Sequence, residues 1–197
     1  DRLGGIPLDL HDADDADAHV AINDSHPARI DRRVADADLV VAFGSVEPHY
    51  FGGWTGAHKT ATVGVLDRES ITRNHAHAVK AEARPCALEG NPVFDDLAQI
   101  LTALEGDRRV LAVNHVIDAS GAPLGLGVGT WRGSLERCLD VARQRFVRQV
   151  EHPVDVLVAS VEGVLARTLY QADKGLKNNE AVVKDGGDLI LCAKLGG

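Results

Sequence analysis

Four short, uninterrupted apolar runs constrain this chain more than anything else in it. They are Asp38-Leu39-Val40-Val41-Ala42-Phe43-Gly44, then 110–114, 154–159 and 188–193, each rich in Val, Ile or Leu. Runs that do not alternate with polar residues predict strands covered on both faces, the pattern of a parallel sheet. Amphipathic stretches lie between them. Residues 91–104 place Val93, Leu97, Ile100, Leu101 and Leu104 near a 3.6-residue period, which predicts a helix. Helices are also predicted over 130–147 and 169–184, the last stopped by Asp185-Gly186-Gly187. The alternation argues for an α/β protein, parallel-sheet layers with flanking helices. Gln149-Val150-Glu151-His152-Pro153 breaks the second long helix before a fresh strand–helix–strand unit. Two domains are therefore expected, 1–150 and 151–197, each only partly present.

Composition narrows the class. The 197 residues are 45% hydrophobic and 25% charged, the balance of a globular protein rather than a disordered or collagen-like one. Formal net charge is −8, and the excess sits early, with ten Asp against four Arg in residues 1–40. Duplex nucleic acid and anionic membrane surfaces both call for a basic face, so neither is an expected partner. The acidic run 12–17 reads as a solvated loop or helix start rather than a metal site. Cys86, Cys138 and Cys192 form no CxxC pair. Cys192, inside an apolar run, is expected to be buried filler. A reducing cytoplasm is the expected compartment. No apolar run reaches the roughly 18 residues a membrane helix needs. The chain has no Met and begins at Asp1, so a processed chain or an excerpt of a longer one is expected. It holds only six Lys against 15 Arg, which makes each lysine conspicuous.

The densest chemistry follows the first apolar run: Gly44-Ser45-Val46-Glu47-Pro48-His49-Tyr50-Phe51-Gly52-Gly53-Trp54-Thr55-Gly56-Ala57-His58-Lys59. Ligands in open α/β sheets bind beyond the carboxyl ends of strands, and glycines let backbone approach a ligand closely. The spacing fits neither GxGxxG nor a Walker loop. Composition leaves two readings open, a ligand loop and a Gly-rich turn carrying surface histidines. A second cluster, Arg73-Asn74-His75-Ala76-His77, contains an HxH step. Spacing alone does not make that a metal site.

Taken together, the motifs resemble the nickel-dependent lactate racemase family. The resemblance is carried by 47–59, by Asn74-His75, by Gly90-Asn91-Pro92-Val93, and by Leu169-Tyr170-Gln171-Ala172-Asp173-Lys174-Gly175-Leu176 with Lys184-Asp185-Gly186-Gly187. The steps of 10 residues from His49 to Lys59, 16 from Lys59 to His75 and three from Gln171 to Lys174 match the family pattern. The resemblance implies a 2-hydroxy acid racemase or epimerase using nickel in a nickel pincer nucleotide, a pyridinium-3,5-bisthiocarboxylate mononucleotide. Lys59 matches the lysine of its thioamide tether. His75 matches the nickel ligand. His49 matches one of two acid/base histidines at the substrate hydroxyl. Tyr170, Gln171 and Lys174 match residues lining the cofactor and substrate side of the cleft. The resemblance makes 1–150 the C-terminal part of a cofactor-binding domain and 151–197 the start of a second α/β domain. Expected partners are a small 2-hydroxy acid and the cofactor-synthesis proteins.

The residue types suit that chemistry. Histidine moves a hydroxyl proton near neutral pH, a lysine amine attacks an activated acyl or thioacyl carbon, and imidazole suits nickel. A lysine also holds a carboxylate as a point charge. Some positions depart from the family. Gly56-Ala57-His58 stands where the family has Gly-Gly and a basic residue, Thr62-Val63-Gly64 lacks a common proline, and 161–167 lacks a Gly-Gly-Tyr-Pro-like loop. The family's upstream phosphate-binding motif and second catalytic histidine have no counterpart here, so these residues alone are expected to be inactive. Two other readings follow from the departures: a related isomerase on another hydroxy substrate, and a non-catalytic metal- or anion-binding module.

Overall fold

The structure, a computed structural model, describes residues 2–24, 26–106 and 109–196. The chain opens with a minimal hairpin, β1 (Arg2–Leu3) and β2 (Ile6–Pro7). A longer antiparallel pair follows, β3 (His19–Asn23) and β4 (His26–Asp31), and then a single turn of helix, α1 (Arg32–Ala35). Strand β5 (Leu39–Ser45) leads into a tight hairpin, β6 (Pro48–His49) and β7 (Gly53–Trp54). Three helices, α2 (Ala57–Thr60), α3 (Arg68–His75) and α4 (Pro92–Glu105), carry the chain across to β8 (Arg109–Ile117). β5 and β8 pair in parallel from Leu39 opposite Arg109 to Ser45 opposite His115. β9 (Pro123–Gly129) adds antiparallel to β8, which makes β8 the central strand. Helix α5 (Trp131–Phe146) packs back on this sheet. The last part holds β10 (Val154–Val161), α6 (Leu169–Ala172), α7 (Lys174–Lys177) and β11 (Val183–Ala193), with β10 and β11 forming a separate parallel pair. No helix among the described residues is long and apolar enough to cross a membrane.

Helix α4 joins the two halves of the core. Its start is fixed by Asn91, whose side chain accepts from the Val93 and Phe94 amides, with Pro92 in the first turn. Phe94 and Leu101 then enter a cluster with Trp54, Ala112, Trp131 and Leu135 against the sheet. Leu97, Ile100 and Leu104 enter a second cluster with Ile22, Ile30, Leu66 and Val110 beneath the β3–β4 hairpin. One helix thus buries two apolar stripes, more than a one-sided amphipathic helix does.

The α/β class and the four strands read from the apolar runs are present, with four corrections. The runs are not buried on both faces. α2 and α5 cover the face carrying Ala42 and Ala112, whereas Phe43 is 61% and Leu126 65% exposed on the other. The helix expected over 169–184 is two short turns, because Gly175 and the pair Asn178-Asn179 are poor helix formers. Asp185-Gly186-Gly187 does not stop a helix: it lies inside β11, where the register slips from Val154–Val183 to Val156–Asp188. Cys192 is exposed. Its neighbour Leu191 faces Gly175 of α7, and strand alternation turns Cys192 to the open side. The β3–β4 hairpin and β9 went unforeseen. β3 and β4 carry no continuous apolar run, and β9 is Pro-Leu-Gly-Leu-Gly-Val-Gly, a composition that disfavours strands.

His58 on α2 is fully buried, and among the described residues neither ring nitrogen makes a well-formed hydrogen bond, with the Trp54 backbone as a polar neighbour. Burial, then the Lys59 charge, lowers its pKa to about 3, so the fold holds it neutral. An unfolded histidine titrates near pH 6.5. The folded pKa is the lower of the two, so acid favours the unfolded chain. Stability is expected to fall as pH drops from about 6.5 towards about 3, by up to roughly 1.4 kcal/mol per pH unit from this residue. Urea midpoints of wild type and His58→Leu, compared across that range, check this. The variant should show the shallower loss, and parallel losses would contradict it.

Candidate active site

The site is built where β5 ends. Gly44 is required there: a β carbon would overlap the Ala57 nitrogen and the Gly56 carbonyl carbon, so the bare backbone lets α2 begin against the strand. The Ala57 amide donates to the Asn114 side-chain oxygen at 2.8 Å. Asn114 is buried on β8 and donates in turn to Ser134 Oγ of α5 at 2.8 Å. This clamp sets the start of the turn that carries Lys59. The β6–β7 hairpin is closed by Thr55, whose hydroxyl donates to the Ser45 carbonyl at 2.6 Å and accepts from the Glu47 amide at 2.9 Å. Gly53 adopts φ +74°, and a side chain there would overlap the Ala87 carbonyl.

His75 ends α3, whose start is capped by the Asp67 side chain. The preceding residue anchors it. Asn74 is fully buried and donates through Nδ2 to the Val93 carbonyl at 3.1 Å and to Asp96 Oδ2 at 2.7 Å. Asn74 thereby ties the end of α3 to α4.

Phe51 is the hub. Its ring lies 4.5 Å from His49, 4.6 Å from Tyr50 and 5.0 Å from His75, centroid to centroid, all edge-on. The Lys59 ammonium is 5.9 Å from the same centroid. His49 and Tyr50 stack at 5.0 Å and 18°. Phe51 therefore gathers the residues read as tether, ligand and acid/base around one apolar ring. Sequence reading quoted Phe51 but gave it no part.

Backbone partners set the two histidines in opposite states. A neutral imidazole has one N–H and one lone pair. His75 Nδ1 lies 2.8 Å from the Ile71 carbonyl, so Nδ1 donates and Nε2 keeps the lone pair a metal needs. His49 Nδ1 accepts from the Gly52 amide at 3.1 Å, so Nε2 holds the proton. Burial lowers the His49 pKa to about 3, helped by the Lys59 and Lys174 charges. Burial also lowers that of His75. Both rings are neutral at pH 7.

Lys59 is brought to about 8 by burial and by the Lys174 charge. A measurable fraction of its amine is therefore free of its proton at neutral pH, the form that attacks carbon. The influence of Lys174 on both Lys59 and His49 places α7 at the same site. The hydroxyl of Tyr50, raised by burial and then by Tyr170 and Asp173, faces α6. Tyr170 and Lys174 thus join His49, Lys59 and His75. Gln171 does not join them by a side-chain hydrogen bond among the described residues. It is tied in by its backbone amide, which donates to the Thr168 carbonyl and hydroxyl.

Among the described residues no three His, Cys, Asp or Glu converge as a metal site. His75 offers one oriented nitrogen, which suits a metal that brings its other ligands with it. Asn114 and Asn91 were also missed as parts of the site. The polar residue ending the apolar run 110–114 and the Asn-Pro cap before α4 were the available signals.

Comparison with known proteins finds similarity to lactate racemases. Residues 6–85 match the lactate racemase N-terminal domain, a stretch that includes His49, Lys59 and His75. The chain is 31% identical over 169 residues to a lactate racemase from Thermoanaerobacterium thermosaccharolyticum, covering 84% of this chain and 38% of that one. It is 27% identical over 171 residues to a lactate racemase from Lactiplantibacillus plantarum, covering 83% of this chain and 38% of the relative. The structure superposes on the lactate racemase apoprotein from T. thermosaccharolyticum with a TM-score of 0.84 and 27% identity, over 95% of this chain and 46% of that one. A protein from Thermotoga maritima shares the fold, at a TM-score of 0.58 and 16% identity over 82% of this chain and 41% of its own. The chain thus spans well under half the length of the curated relatives it matches. The ordered motifs, the domain match over residues 6–85 and the structural likeness all support the lactate racemase family.

Proposed function

We propose that this chain is part of a 2-hydroxy acid racemase or epimerase that works with a nickel pincer nucleotide. The observation that carries the reading is the gathering around Phe51 of a lysine whose pKa is lowered, a histidine with its Nε2 lone pair free, and a second histidine with its Nε2 protonated. When bound, the group would supply an acceptor for a hydride from a carbinol carbon, with Lys59 and His75 the residues that would hold it. Lys59 supplies the amine of the tether, and its lowered pKa keeps that amine reactive. His75 supplies a nitrogen ligand through Nε2, held in place by its bond to Ile71. Lys174 offers a positive charge for the substrate carboxylate. His49 faces the substrate hydroxyl. Tyr170 and Gln171, both on α6, would line the cofactor and substrate side of the cleft. Partial burial strengthens the Lys174 charge towards a small anion.

A second reading, an isomerase of another hydroxy substrate, is favoured by one observation. The residue before Lys59, basic in the family, is here His58, which is buried and neutral. Removing a positive charge behind the lysine alters what the site attracts. Proteins that make the nucleotide are proposed partners. A reducing cytoplasmic compartment is proposed with them, supported by three free cysteines.

Intact-mass and peptide analysis of the full-length protein, coexpressed with the cofactor-synthesis proteins, tests the reading. An adduct on Lys59 is expected, and Lys59→Ala should lose both the adduct and racemisation of lactate. An unmodified Lys59 in the coexpressed protein, or an active Lys59→Ala, would contradict it. Nickel binding without turnover of any hydroxy acid would instead favour a binding module.

A further inference from the structure

His11 and His19 flank the acidic run 12–17, and neither has a part in the site around Phe51. Two Asx turns fold the run back on itself. The Asp12 side chain accepts from the Asp14 amide at 3.0 Å, and the Asp15 side chain accepts from the Asp17 amide at 3.1 Å. The two rings thereby meet, with His11 Nε2 at 2.9 Å from His19 Nε2. His19 opens β3, is 1% exposed and pairs in register with Asp31 of β4. His11 is partly buried.

His19 is oriented as His75 is. Its Nδ1 lies 2.7 Å from the Asp15 carbonyl, so Nδ1 donates and Nε2 keeps its lone pair. That lone pair takes the one proton between the rings, which makes His11 the Nε2–H tautomer. Burial lowers the His11 pKa and His19 adds to this, while Asp31 and Asp12 oppose it. His11 is therefore neutral at pH 7.

The two nitrogens that share a proton also suit an ion. The ring centroids are 5.1 Å apart and the planes cross at 85°. An ion about 2.0–2.1 Å from each nitrogen, with the ring centres left in place, makes an angle of roughly 105° between its two bonds, close to tetrahedral. Tilting the rings is enough to reach it. The surrounding charge favours a cation. Asp12 and Asp31 both act on His11. Arg33 acts against them, but Asp31 binds it at 3.0 and 2.6 Å and Asp9 lies 3.3 Å from it, so three carboxylates stand against one guanidinium. Imidazole suits several transition metals, and tetrahedral geometry selects zinc among them. Among the described residues no third His, Cys, Asp or Glu completes the set, which leaves the remaining positions to water.

We propose that His11 and His19 form a binding site for a divalent cation of the zinc class, separate from the site around Phe51. Binding costs no net proton, because His11 gives up its Nε2 proton and takes one at Nδ1. The same loop is tied to α3. The Arg68 amide donates to the Ala13 carbonyl at 2.9 Å, and its guanidinium holds Asp14 at 2.9 and 2.7 Å. A bound ion thus pins the loop between β3 and the start of α3. The proposal stands on these residues alone and does not depend on the racemase reading.

Long-range proton–nitrogen NMR reads the site ring by ring. The full-length protein is labelled with nitrogen-15 histidine, made without the cofactor-synthesis proteins and stripped with a chelator. Backbone assignment links each ring to its residue. Zinc chloride is added at about pH 7.5, above the ordinary histidine range. His11 should pass from the Nε2–H to the Nδ1–H tautomer, and the Nε2 signals of His11 and His19 should move together. His11 and His19 signals that stay in place, whatever other histidines do, would overturn the proposal.

Loss of an outer-shell partner alone weakens a metal site by about 10–100-fold. His11→Gln removes a ligand, so it should weaken zinc binding, read at His19, by at least about tenfold. A folded His11→Gln with unchanged binding at His19 would also overturn it. Lowering the pH to about 5.5 protonates the imidazoles and should release the ion. Zinc retained there would contradict ligation by this pair.

Discussion

Three fully buried asparagines hold this site, one behind each of its reactive side chains. Asn114 fixes the start of the turn that carries Lys59, Asn74 fixes the end of α3 beside His75, and Asn91 fixes the peptide that meets His49. Each lies in the core and ties separate elements together through its amide: Asn114 joins Ala57 to Ser134, Asn74 joins the end of α3 to Val93 and Asp96, and Asn91 joins the Phe51 carbonyl to the start of α4. A buried amide is costly unless bonded, on the order of 1–3 kcal/mol for each group left unpaired. The same cost makes the arrangement specific, because a misplaced loop leaves the amide orphaned. The sheet and helices thus provide a rigid frame, and the three amides carry that rigidity into an irregular hairpin and two helix ends. Function placed on loops needs such transfer to be precise.

Burial does the electrostatic work. The site takes in two lysines and two histidines and offers them little water. Charged forms are disfavoured, so His49, His75 and Lys59 all move towards their neutral states, and Lys174 reinforces this for His49 and Lys59. A neutral amine is a nucleophile and a neutral imidazole is a ligand or a donor. Which of the two an imidazole becomes is decided by one backbone atom: the Ile71 carbonyl for His75, the Gly52 amide for His49. Two chemically identical rings, each in contact with Phe51, are thereby held as different tautomers.

Much of the frame was legible in the sequence. Apolar runs marked β5, β8, β10 and β11, and the 3.6-residue period marked α4 and α5, because burial leaves that pattern directly. The β3–β4 hairpin and β9 were not legible. Their residues carry weak strand preferences, and tertiary contact overrides them. The exposed face of β5 was misread for a related reason, since a continuous apolar run reports only that both faces are apolar. In the site, His49, Lys59 and His75 stood out by type and spacing, and motif resemblance attached roles to them. The tautomers were invisible. They depend on which end of a peptide meets Nδ1, and no residue type encodes that. Phe51, Asn91 and Asn114 escaped because an aromatic or an amide inside a core looks ordinary until its partners are seen.

The reaction proposed for this site is hydride transfer at a carbinol carbon. Hydride removed and returned never equilibrates with water, whereas a carbon-bound proton removed by a base does. Racemisation of L-lactate by the cofactor-loaded, full-length protein in deuterium oxide separates the two directly. Mass spectrometry of the D-lactate formed should find protium retained at C2. Deuterium at C2 would contradict the account.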